Sequence, residues 1–136
     1  MSARYKARRQ AFSLIFEVDQ RGAPLRQAFE LFAARQKEKV QPLSESDFVA
    51  EAVKGVADNE ARIDEALTES LSDWTLERLF AVERSILRLA AWEILYTNTA
   101  PEIVRSESIK LAQEYAQPEA TALISGVLGS LEKLKQ

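Results

Sequence analysis

Neither cysteine nor histidine occurs among the 136 residues of the chain. A disulfide framework, a thiolate nucleophile, an imidazole base and the usual structural zinc site are therefore excluded. An enzyme built from this sequence would have to run on carboxylates, lysine, tyrosine or serine, and no cofactor or metal is expected. Glycine and proline number four each, too few for a collagen-like or low-complexity chain. Long apolar runs are also missing. The most apolar stretch, Ile86 to Tyr96, contains Arg88 and Glu93 and falls well short of the ~20 residues that span a bilayer. The basic start, Met1 to Arg9, meets Glu17 before any uninterrupted apolar region, so it does not read as a signal peptide. The expectation is a soluble, cytoplasmic protein with one domain over residues 1–136, long enough to build a core without metals or disulfides.

Hydrophobic residues make up 46% and charged residues 29% of the chain, with a net charge of −3. That charge is unevenly spread. Residues 1–21 hold Arg4, Lys6, Arg8, Arg9 and Arg21 against Glu17 and Asp19, a local +3, while the remaining 13 basic and 19 acidic side chains give −6. A basic arm on an acidic body suits a local anionic partner such as RNA. A solvated N-terminus would have the same composition, and charge alone leaves both readings open.

Apolar residues recur at helical spacing. Ala7, Ala11, Leu14, Ile15 and Val18 form one stripe between Arg4 and Gln20, flanked by Phe12 and Phe16, the i, i+3, i+4, i+7 pattern of an amphipathic helix. Gly22 is a natural helix terminator, and Pro24 suits the first turn of the next helix. Leu25, Ala28, Phe29 and Phe32 continue that helix until the charged tract at Arg35–Lys39 and a loop around Pro42. Ser44–Asp47 reads as a helix N-terminus, followed by helical register from Phe48 to Leu71 with a break near Asn59. Between Val82 and Tyr96 apolar residues lie on nearly every side, which marks a buried helix at the centre of the domain. Thr99–Glu102 has capping-box spacing with Pro101 in the first turn, and Pro118 separates that helix from a last one whose stripe runs from Ala120 to Leu134. The expected fold class is all-α, a compact bundle of six to seven helices.

Motifs for chemistry are absent or weak. Ser130-Leu-Glu-Lys133 has Ser-x-x-Lys spacing without any companion motif, and Gly126 and Gly129 interrupt a helix rather than open one. Each such glycine costs about 1 kcal/mol relative to alanine, so close packing or the approach of another molecule is expected there. Asp64/Glu65 and Asp58/Glu60 read as solvated faces. More informative are Arg84, Arg88 and Glu93, charges on the most apolar helix that must find partners. Either Arg88 pairs internally, with Glu93 or a carboxylate of a neighbouring helix, or Glu83 and Arg88 surface at one edge to meet a protein.

The run Trp74-x-x-Glu77-Arg78-Leu79-x-x-Val82-Glu83-Arg84-x-Ile86-Leu87-Arg88-Leu89-Ala90-x-x-Glu93 closely resembles the core signature of the NusB family of transcription antitermination factors. Arg4-x-Lys6-Ala7-Arg8-x-x-Ala11-x-x-Leu14 is similar to that family's arginine-rich first helix, and Pro101, Glu107, Leu111-Ala112 and Gly126-Val127-Leu128 match its C-terminal half in order. The resemblance covers essentially the whole chain. It implies an all-helical, non-catalytic protein that pairs with the small-subunit ribosomal protein NusE. Together they would bind single-stranded boxA RNA of ribosomal RNA leaders within the RNA polymerase antitermination complex. Carried over by position, it puts Arg4, Lys6 and Arg8 along RNA phosphates, with Arg9 a weaker candidate. Tyr5 would stack on a base or simply pack, and Phe16, Glu77, Glu83 and Arg88 would meet the partner.

The chain departs from the family where Ile-Asn-Glu becomes Arg105-Ser106-Glu107, and where Phe-Val-Asn-Gly becomes Leu123-Ile124-Ser125-Gly126. Leu123 and Ser125 fall on the surface that the resemblance turns toward RNA. Leu123 cannot stack as an aromatic does, and Ser125 offers fewer hydrogen-bonding groups than asparagine. Two alternatives stand beside this reading. One is a module like the N-terminal domain of RsmB-type ribosomal RNA cytosine methyltransferases, against which the absence of a Rossmann-like segment before Gln136 is an expectation. The other is a self-associating domain, since the family includes homodimers whose contact can cover the RNA face.

Overall fold

The computed structural model describes residues 2–36 and 43–135, with side chains over 2–36 and 47–135. The loop expected around Pro42 and the side chains of Ser44 to Ser46 lie outside the described residues. Those residues contain seven helices, one 3-10 turn and no strand. The helices are α1 (Ala3–Gln20), α2 (Gln27–Gln36), α3 (Leu43–Asp58), α4 (Glu60–Ser70), α5 (Ala81–Tyr96), α6 (Pro101–Tyr115) and α7 (Ala120–Lys135), with the 3-10 turn at Leu76–Arg78. They group into two units, residues 1–58 and 59–136.

In the first unit α1, α2 and α3 pack pairwise. The Ser2 hydroxyl caps α1 by accepting the Tyr5 N–H at 3.0 Å, a standard N-cap bond. At its other end Gly22 takes φ +71°, with its N–H on the Asp19 carbonyl and the Ala23 N–H on the Val18 carbonyl. Those paired bonds are a Schellman motif. Pro24 stands outside α2, which begins at Gln27 after a turn in which the Gln27 N–H reaches the Pro24 carbonyl. Ala11, Ile15 and Val18 of α1, Ala28 of α2, and Val49, Ala52 and Val53 of α3 are all buried.

In the second unit α5 touches α4, α6 and α7, and every residue from Ser85 to Ile94 is buried. That is the central helix its composition predicts. Asn59 separates α3 from α4, as the interrupted register suggests. One cap departs from expectation. α6 begins with Ala100 at the N-cap and Pro101 at N1. Thr99 therefore sits one residue too early to cap it, and its hydroxyl meets that of Thr97 at 3.3 Å instead.

Candidate nucleic-acid interface

The basic residues of α1 divide between two faces. Arg4 and Lys6 are exposed and Arg9 is half-buried, whereas Tyr5 and Arg8 retain 6% and 5% of their surface. Arg4 and Arg8 do share a face, as a spacing of four requires, but that face is turned to α3. Their guanidinium carbons stand 4.3 Å and 5.6 Å from the ring centroid of the buried Phe48. Each such contact is worth about 0.5–2 kcal/mol depending on its desolvation. Arg8, expected along phosphates, is buried instead of exposed: Tyr5, Arg8, Phe12 and Ile15 follow the i, i+3, i+7, i+10 row and are all buried. Tyr5, for which stacking on a base and simple packing were both open, packs with them. Phe48 was not singled out from the sequence, because nothing local to α3 signals a ring beneath two cations of α1.

The residues expected at a protein interface also separate. Glu77 is exposed in the 3-10 turn, and Phe16 is half-buried and stacked on Phe12 at 6.0 Å between centroids. Glu83 and Arg88, for which an internal pair and a shared exposed edge were both open, are both buried. The Glu83 carboxylate accepts the Phe80 N–H at 3.0 Å, closing the start of α5 where negative charge is favoured. Arg88 donates from Nε to Asp64 Oδ1 and from Nη2 to Asp64 Oδ2, both at 2.9 Å. This bidentate fork joins α5 to α4, so Asp64 is more than part of a solvated face. Arg84 donates from Nη1 to the Leu76 and Leu79 carbonyls at 3.2 and 2.9 Å, holding the 3-10 turn against α5.

Of the departing positions, Ser106 is exposed, and Arg105 is paired with Glu132 across α6 and α7. Leu123 and Ser125 are half-buried on α7. Leu123 lines a cavity of about 250 Å³ with Trp74, Arg78, Leu79, Phe80, Glu83, Glu119 and Ala120. Ser130 and Lys133 are both exposed, a bare spacing match on a surface helix. No helix among the described residues is long and apolar enough to cross a membrane.

A model of the NusB family matches residues 5–133. The chain belongs to the NusB family. The transcription antitermination protein NusB of Paenarthrobacter aurescens is 43% identical over 136 residues, covering 99% of this chain and 96% of that one. The NusB of Streptomyces coelicolor is 38% identical with the same coverage. A crystal structure of the antitermination factors NusB and NusE in complex with double-stranded RNA contains a chain similar to this one at TM-score 0.84 and 27% identity, covering 98% of each. NusB proteins are regulators of transcription, not enzymes. The all-helical fold is thus that of the family.

Proposed function

We propose that this chain is a transcription antitermination factor that binds single-stranded, boxA-type RNA of ribosomal RNA leaders together with a NusE-type ribosomal protein, within an RNA polymerase antitermination complex. The supporting observation is the exposure of Arg4 and Lys6 on α1, with Arg9 half-buried, on a chain similar over 98% of its length to a chain of a NusB–NusE complex with double-stranded RNA. These three cations meet phosphates, which position an RNA without reading its sequence. Arg8 is a positioning residue that packs α1 onto Phe48. Sequence preference then comes from bases reached by other groups, Leu123 and Ser125 among them, and from the partner protein. Phe16 and Glu77 each meet that partner, while Glu83 closes the start of α5 and Arg88 joins α5 to α4.

The test is equilibrium binding to a short boxA-type RNA across a salt series, with and without the partner protein. Three phosphate contacts on a single strand predict a slope of about −2 in log K against log salt. Replacing Arg4, Lys6 and Arg9 together by alanine should flatten that slope and weaken binding, at a cost in stability of about 0.5–2 kcal/mol from the lost Arg4–Phe48 contact. Equal affinity for boxA and scrambled RNA with the partner present would overturn the boxA reading.

A further inference from the structure

We propose that Phe80, with Trp74, forms a stacking platform for one unstacked base of the bound RNA. The inference rests on the RNA-binding reading above and names a contact that reading lacks.

Phe80 occupies the N-cap position of α5, where serine, threonine, aspartate or asparagine is favoured for its side-chain acceptor. Phenylalanine supplies none, and the helix start is served from the other direction by Glu83. The side chain is 70% exposed, so it also forgoes the burial that ordinarily makes phenylalanine stabilising. Neither the local backbone nor the core therefore calls for a ring here. A single exposed aromatic needs no explanation, but Trp74, 54% exposed, lines the same cavity.

The character of the cavity selects its occupant. At about 250 Å³ it lies just below the range for drug-sized ligands and suits one flat heterocycle. Glu83 and Glu119 line it against a single cation, Arg78. Two carboxylates disfavour a phosphate inside but leave an uncharged ring unopposed, while Arg78 can take a phosphate adjoining the stacked nucleotide. Leu123 borders the same space with an apolar but non-aromatic side chain. Phe80 and Trp74 supply the π-faces that Leu123 lacks, and aromatic stacking tolerates any base because every base has a flat face.

The experiment measures binding of the full chain to the short boxA-type RNA for wild type, Phe80→Ala and Phe80→Tyr. A parallel set of RNAs carries an abasic nucleotide at each position in turn. Phe80→Ala should weaken binding roughly 5- to 150-fold, the loss of one stacked base, with the salt slope and melting temperature unchanged. Phe80→Tyr should bind like wild type. One abasic position should weaken the wild type yet cost Phe80→Ala little, because the contact is already gone. Undiminished RNA binding by Phe80→Ala, alongside weakened binding by the Arg4, Lys6 and Arg9 variant, would overturn the platform and leave the RNA reading standing. Loss of partner-protein binding alone would reassign the aromatic pair to a protein contact and overturn it too. No RNA binding by the wild type would overturn both.

Discussion

Arg88 lies on the buried helix α5, and its geometry is that of an internal fork. With both of its bonds on Asp64 and its side chain only 9% exposed against 27% for Asp64, the pair stands where removing one partner strands the other. Breaking a fully buried pair costs about 3–5 kcal/mol. Because Asp64 keeps some contact with water, Arg88→Ala should cost about 3 kcal/mol, read as a lower urea midpoint. Arg88→Lys should recover only part of it, since an ammonium cannot reproduce two parallel bonds to one carboxylate. An Arg88→Ala variant as stable as wild type but deficient in partner binding would assign the residue directly to the interface. Sequence could state that Arg88 needed a partner; it could not choose Asp64, 24 residues away on another helix. The burial of Tyr5 and Arg8 is legible in the sequence, because their spacing to Phe12 already marks a core-facing row. Charge composition drew attention to Arg8 as a cation when helical phase decided its position.

Among the helices, periodicity revealed their existence more faithfully than their ends. α1, α5 and α7 follow from their stripes, and Gly22 and Asn59 mark boundaries the structure keeps. Pro24 and Thr99 mislead by a few residues, because a proline or a capping side chain fits several turn positions and packing selects among them. The candidate site was less legible still. The cavity beside Phe80 joins residues from Trp74 to Leu123, which local sequence does not bring together. Two glycines, one just past the end of α1 and one inside α7, make the contrast between local and tertiary demand measurable. Gly22→Ala would place a β-carbon at φ +71° and should cost about 1–2 kcal/mol. Gly126 sits inside α7, where an added β-carbon meets nothing within 4 Å. Gly126→Ala should therefore stabilise the chain by about 0.5–1 kcal/mol, opposite in sign to Gly22→Ala in the same thermal melt. Internal packing thus gives no reason for a glycine at position 126. A destabilised Gly126→Ala would show that the packing of α7 needs a bare backbone there.

For the whole molecule, the missing histidines and cysteines set the response to pH. Apart from the amino terminus, the chain has no side-chain type that ordinarily titrates between about pH 6 and 8, so its melting temperature should be flat across that interval. The acid side belongs to the 21 carboxylates, and Glu17 is a defined contributor. Arg35 of α2 reaches it at 3.1 Å and Arg21 at 3.1 Å. The Arg35 hydrogen bond, helped by both positive charges, holds Glu17 below its ordinary value of 4.5 against the opposing effect of burial. A carboxylate lowered on folding contributes stability above its unfolded pKa and loses it as pH falls through the folded one. The clasp between α1 and α2 should therefore be complete at pH 6 to 8 and fade below about pH 4.5. Being largely solvent-exposed, it should be worth less than about 1 kcal/mol. Thermal melts of wild type and Glu17→Gln should differ by a small, constant amount near neutrality and converge in acid. A gap that widened in acid would mean that the charge of Glu17 is not what joins these helices.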